Sequence, residues 1–211
     1  MKKVAPRSPG MRDADGPPSE RRADLVRIAG ELFAEKGFRA TTVREIADAA
    51  GILSGSLYHH FDSKESIGDE ILSRFLDDVL TGYREAVAAG GDARAVVERI
   101  VRTSTDRLIR NRAALTMLKN DWPYFSSQPR FAHMRRTLRE IEAIWIAELE
   151  RGKVEGLFRA DLDPRLTYRL LRDILWIPTH WRHGGEGWAP EQIVDAFLGL
   201  LFHGILTPST R

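Results

Sequence analysis

The chain has 211 residues, of which 43% are hydrophobic and 29% charged, with a formal net charge of +2. That mixture is globular rather than disordered, and long enough for a sizeable core in one domain or two small ones. There is no cysteine, which excludes disulfides, thiolate metal sites and cysteine nucleophiles. The mildly basic balance permits a nucleic-acid partner without establishing one.

The opening stretch MKKVAPRSPGMRDADGPPSE has no apolar core of signal-peptide length. No segment approaches about eighteen uncharged apolar residues. A soluble, cytoplasmic protein with no membrane partner is expected. Residues 1–18 are rich in Pro, Gly and charge and read as a flexible arm. Lys2, Lys3, Arg7 and Arg12 precede the first acid, Asp13. The arm is either a solubilising tail or a basic strap along a phosphate backbone.

The first helix is expected from Glu20, capped by Ser19, with Leu25, Ile28, Ala29, Leu32 and Phe33 at helical spacing and Gly37 at its end. Thr42 and Glu45 have the spacing of a capping box, so a short helix follows. Gly51 breaks it, and a third helix resumes near Ser54 with Leu57 turned inward. Asp62 or Ser63 caps a fourth helix over 64–88, which ends at Gly90-Gly91. Further helices are expected over 92–110, 112–120, 130–151, 164–182 and 190–206, with a break at DWPYFSSQPRF marked by Pro123 and Pro129. No strand pattern competes. The fold class is all-α with about nine helices: a helix-turn-helix unit over 19–63, then a larger helical unit over 64–211.

Two short helices around a Gly-containing turn suit a helix-turn-helix, whose second helix lies in a major groove while the first crosses the backbone. The third helix offers Ser54, Gly55, Ser56, Tyr58, His59 and His60 as outward groups able to meet phosphates or base edges. Tyr58 could instead pack between helices, and Thr42 could be a cap alone. The adjacent His59 and His60 do not share a helical face and lack a third ligand, so no metal site is expected. Residues 13–64 hold seven Lys or Arg against nine Asp or Glu. Binding must therefore rest on local placement of cations such as Arg44, Lys64 and Arg39.

The segment AGELFAEKGFRATTVREIADAAGILSGSLYHHFDSKESI carries GF, TTV, IA, AG, S-x-x-LY-x-HF and a downstream Lys in one order. As a set it resembles the DNA-binding domain of the TetR family of bacterial transcriptional regulators, over about Arg22 to Lys64. The resemblance implies phosphate contacts by Thr42, Tyr58 and Lys64 and a groove-reading helix carrying Ser54, Ser56 and His59. It also implies a homodimeric repressor that leaves palindromic operator DNA when a small ligand binds.

The larger unit would then bind ligand and dimerise. Leu166, Leu170, Ile174, Ile193, Phe197, Leu200 and Leu201 supply apolar faces for a four-helix interface, although some must fill the subunit core. Trp122 and other large aromatics in the middle helices could wall a cavity. YRLLRDILWIPTHWRH places Arg169, Arg172, Trp176 and His180 in an otherwise apolar segment. Arg172 and Trp176 share a face. Such a cavity suits a large apolar molecule with an anionic group; Arg172 could equally pair with a neighbouring acid.

YHHF, SQPRF, LFRADLD and YR-x-x-RD-x-x-W together resemble TetR regulators of sterol-ring catabolism in actinobacteria. That likeness implies an effector that is a CoA thioester of a partly degraded steroid. It implies Arg172 and Trp176 in the cavity, with Arg135 or Arg169 toward the thioester or CoA phosphates. No cofactor is expected. An enzyme built on His180, His183, Asp173 and Glu186 finds no support, because no metalloprotease, P-loop, dinucleotide or nucleophile-elbow motif is present.

Overall fold

The structure is a computed structural model that describes residues 18–176 and 188–205. Among these, all regular elements are helical: α1 (Pro18–Lys36), α2 (Val43–Ala49), α3 (Ser54–Leu57), α4 (Lys64–Ala88), α5 (Ala93–Arg110), α6 (Arg112–Ser127), a 3-10 turn (Pro129–Phe131), α7 (Ala132–Val154), α8 (Pro164–Trp176) and α9 (Pro190–Ile205). The all-α expectation holds. None of the described helices is long and apolar enough to cross a membrane. Residues 1–17 of the N-terminal arm, His180 and His183 lie outside the described residues, as does the side chain of Trp176; residue 18, placed in the arm by the sequence, opens α1.

Local chemistry fixes the first four helices. α1 starts at Pro18, two residues before the expected start, because proline's fixed φ suits a first turn where no N–H is needed. Ser19 is therefore inside the helix rather than its cap. Leu25, Ala29 and Phe33 are fully buried along one stripe. Gly37 ends α1 at φ 89°, a conformation glycine reaches without a Cβ clash. Thr42 accepts from the Glu45 amide while Glu45 reaches back to the Thr42 amide, which completes the capping box of α2. Ser63, not Asp62, caps α4, in a second box with Ser66.

One expected break is absent. α6 runs through Pro123 to Ser127, although an internal proline costs a hydrogen bond and crowds the preceding turn. Phe125, two residues on, is fully buried against Phe38 and Phe131 at ring-centroid distances of 5.0 and 4.8 Å. That packing outweighs the local penalty. The chain leaves the helix at Gln128, which is extended at φ −95°, ψ 135°, as the residue before Pro129 prefers.

α4 joins the two parts. It packs against α1 near its start and against α5 and α7 along its length. Its inward stripe includes Ile67, Leu72, Phe75, Leu76, Val79 and Tyr83. α1 also packs directly on α6. The small unit thus rests on the larger one through two helices, α4 and α6.

Candidate nucleic-acid interface and ligand cavity

The α2–α3 unit turns a polar edge outward over an apolar base. Ile46, Ala47, Leu57 and Phe61 are buried beneath it. Thr42, Arg44, Gly55, Tyr58 and His59 are exposed, and Ser54, Ser56 and His60 partly so. Arg44 is 85% exposed, its guanidinium 3.8 Å from the Asp48 carboxylate. Tyr58 stands free of the interhelical packing considered for it, at 55% exposure. The two histidines diverge: His59 faces solvent, while the His60 carbonyl accepts from Arg22, whose guanidinium also stacks 4.1 Å over the Phe61 ring.

Lys64 sits where α1, α2 and α4 converge. Its ammonium donates to the carbonyls of Phe38 and Thr41, each at 2.9 Å, and of Arg39 at 3.3 Å. It also lies 4.8 Å from the centre of the Phe38 ring. All three protons are thus directed at the loop that presents Thr42. Phe38 is the wedge of this joint. Its amide donates to Asp121 Oδ2 at 2.9 Å, and its ring meets Phe33, Tyr124 and Phe125 at 4.8, 5.4 and 5.0 Å. A Cβ on Gly68 would come within 2.7 Å of the ring, so α4 approaches it closely. Tyr124 also donates to Glu65 at 3.2 Å.

A second clamp ties α1 to α2. Lys36 Nζ donates to Glu45 Oε1 at 2.9 Å. This bond, with those from the Thr42 amide and hydroxyl, lowers the Glu45 pKa to about 2.

The cavity lies among α6, α7 and α8. Its outer chamber, about 460 Å³, is lined by Leu118, Lys119, Trp122, Arg135, Leu138, Arg139, Glu142, Tyr168 and Arg172. An inner chamber of about 50 Å³ continues from it, sharing Leu118, Leu138, Tyr168 and Arg172 and walled by Phe75, Tyr83, Trp145 and Leu175. The inner part is apolar and aromatic. The rim carries four cationic side chains against one carboxylate. Arg172 spans both chambers, paired with Asp173 at 2.9 Å and 5.8 Å from the centre of the Tyr168 ring. Burial raises the Tyr168 pKa to about 12. Tyr83 is fully buried and hydrogen-bonded to Ser104 at 2.6 Å; burial raises its pKa too.

Profiles of known families decide what the chain is. That of bacterial regulatory proteins of the tetR family matches residues 25–71, and that of the tetracyclin repressor-like C-terminal domain matches residues 90–205. The chain belongs to the TetR family. It is 44% identical to the HTH-type transcriptional repressor KstR2 of Rhodococcus jostii over 190 residues, covering 90% of this chain and 93% of that one. Identity to KstR2 of Mycobacterium tuberculosis is 37%, over 90% of this chain and 95% of the relative. The structure of that mycobacterial protein, a ketosteroid transcriptional regulator, superposes with a TM-score of 0.84, covering 89% of this chain and 95% of its own. These relatives are regulators of transcription, so this TetR-family chain is not an enzyme. One constellation invites the enzyme reading: Ser73 and Asp69 beside His133. Both oxygens face the same ring nitrogen, Nε2, at 2.8 and 3.4 Å, whereas a nucleophilic triad uses the two nitrogens separately.

Of the effector residues named from this TetR-family sequence, the structure gathers Trp122, Arg135 and Arg172 at one cavity. Arg169 is exposed and not part of its lining. Trp176 and His180 carry no description of their side chains. Lys119 and Arg139 were missed. Helical spacing could have found them, since Lys119 lies three residues before Trp122 and Arg139 four after Arg135.

The α8–α9 face carries a separate apolar groove of about 400 Å³, lined by Leu166, Leu170, Ile174, Phe197, Leu200 and Leu201 among others. Leu166, Leu170, Ile174 and Leu200 are 57, 57, 38 and 72% exposed. Ile193 and Phe197 are half-buried, and Leu201 is buried in the subunit's own core.

Proposed function

We propose that the chain is a ligand-responsive transcriptional repressor that binds palindromic operator DNA as a homodimer in the cytoplasm. A steroid-derived acyl-CoA filling the cavity releases it. The observation that carries this reading is the divided cavity, apolar within and cationic at the rim. An acyl group with a fused-ring body is apolar, and CoA ends in phosphates. Arg135, Arg139 and Lys119 can meet those phosphates while Trp122, Leu138 and Tyr168 of the larger chamber meet the rings; the inner chamber of about 50 Å³ behind Tyr83 and Trp145 has to widen to take any part of them. The likeness to KstR2, whose mycobacterial member is a ketosteroid transcriptional regulator, supports the steroid part of this reading.

Two subunits would pair through Leu166, Leu170, Ile174, Phe197 and Leu200, with Ile193 at the margin and Leu201 bracing from beneath. Pairing would set two heads one helical turn of DNA apart, about 34–36 Å. In each head, Ser54, Gly55, Ser56, Tyr58 and His59 form the groove-facing edge. Thr42, Arg44 and His60 lie toward phosphate, and Lys64 holds the loop that aims Thr42. We assign residues 1–18 to an arm, 19–63 to the head and 64–211 to effector binding and dimerisation. Release requires only that the effector prefer the conformation whose heads miss the half-sites. α6 lies between cavity and head: Leu118, Lys119 and Trp122 line the chamber, while Asp121, Tyr124 and Phe125 grip Phe38.

The test is release of the protein from its own upstream duplex, at stated salt, by steroid-derived CoA thioesters, the matching free acids, and short-chain acyl-CoAs. Release by the ring-bearing thioester alone is expected. Release by free acids as readily as by thioesters would remove CoA from the reading.

A further inference from the structure

Leu53 is 79% exposed. It stands at the N-cap of α3, extended at φ −71°, ψ 143°, and caps nothing: no side chain satisfies the helix start. Ser, Thr, Asp or Asn is the residue such a position ordinarily favours. Nor does the fold need it as a hydrophobe, since Leu57 fills the base of the unit and Ile52 is already half-buried behind it. Two local preferences are thus set aside together at the leading end of the helix proposed to enter the groove. Beyond it, a side-chain carbon at Gly55 would have nothing within 4 Å, so among the described residues none covers the outer side of α3 there.

A major-groove edge offers hydrogen-bond donors, acceptors and one apolar group, the C5-methyl of thymine. Leucine has no hydrogen bond to give. Against guanine, cytosine or adenine edges it would strip water from polar atoms without replacing it. We infer that Leu53 is a specificity-determining residue that reads a thymine in each operator half-site through its methyl group. The inference rests on the operator-binding reading above.

The test uses the full-length protein and two versions of its own upstream duplex, amplified with dTTP or with dUTP, which differ only in the thymine methyls. Losing one methyl contact per half-site should weaken wild-type binding about fourfold, and about 15-fold for two half-sites. Leu53→Ala should bind the two duplexes within about twofold of each other. An exposed side chain should be replaceable without unfolding, which a thermal melt of the variant checks. Equal wild-type affinity for both duplexes overturns the inference while leaving the regulator intact. So does a Leu53→Ala protein that keeps the full uracil penalty, because the methyl is then read elsewhere. If Leu53→Ala changes the subunit stoichiometry instead of the uracil penalty, Leu53 belongs to a protein contact and the inference falls. Wild-type protein that prefers neither duplex over unrelated DNA defeats the operator reading itself.

Discussion

The head and the cavity are held together by different kinds of contact. In the head, the helix starts are set by bonds between neighbours, Thr42 to Glu45 and Ser63 to Ser66, to which Lys64 adds a longer reach back to the loop before Thr42. In the cavity, Leu118, Arg135, Glu142 and Arg172 come from three helices and meet only after the chain has folded. The first kind presents a fixed surface to a partner of fixed shape. The second can alter its width by sliding one helix on another, which an effector-driven release needs. The joint between them, Phe38 and its neighbours, must be stiff enough to pass on such a shift.

The largest effect should come from breaking that joint. Phe38 is 1% exposed and touches α1, α4 and α6. Phe38→Ala should destabilise the protein by about 3–5 kcal/mol, read as a fall in denaturation midpoint. A loss under about 1 kcal/mol would mean that the two parts are not mechanically joined there.

Next come two variants expected to act in opposite ways. Arg172→Ala should leave operator affinity nearly unchanged. It should raise the effector concentration needed for release by about tenfold or more, the worth of a hydrogen bond to a charged group. Tyr58→Ala should weaken operator binding while effector binding to the free protein stays the same. If either variant moves both measurements together, head and cavity are not separable in the way their construction suggests.

A smaller change targets the joint's polar bond. Asp121→Ala removes the acceptor of the Phe38 amide, costing about 1–3 kcal/mol of stability. Asp121→Asn keeps a carbonyl acceptor and should recover most of it. With both partners' affinities preserved, the Ala variant should release DNA less completely at saturating effector. Full release would leave α4 as the sole route.

The same contrast decides what could be read in advance. The capping boxes, the Gly37 and Gly51 turns and the inward Leu57 are legible because each depends on residues a few places apart. Pro123 misleads for the converse reason. Its local penalty is visible in sequence, whereas the burial of Phe125 among Phe38, Tyr124 and Phe131, which overrides it, is not. Lys64 shows the same limit. Its position at a helix start suggests an anion site, yet its protons turn to carbonyls more than twenty residues earlier. Spacing favours Arg172, which shares a face with Trp176, without excluding Arg169 three residues earlier; the placement of α7 against α8 puts the first at the cavity and leaves the second exposed.

The smallest expected effect lies wholly within the head and depends on pH. Glu45 has its pKa lowered to about 2 by the Lys36 bond first and the Thr42 bonds second. A carboxylate depressed in the folded state contributes stability above its unfolded pKa and loses it as pH falls toward the folded value. The α1–α2 clamp should therefore be complete at pH 7, weaken below about 4.5 and be gone only below about pH 2, where the folded-state carboxylate is itself protonated. Lys36 and Glu45 are both solvent-exposed, so the contribution is that of a surface pair, screened by salt. Comparing Glu45→Gln with wild type isolates it: the difference in unfolding midpoint should be largest at neutral pH and low salt, and should vanish as the wild-type carboxylate protonates. A difference that stays undiminished from pH 7 down to pH 2 would assign the effect to the neutral hydrogen bonds of the capping box, and the charge on Lys36 would then have no part in holding the head.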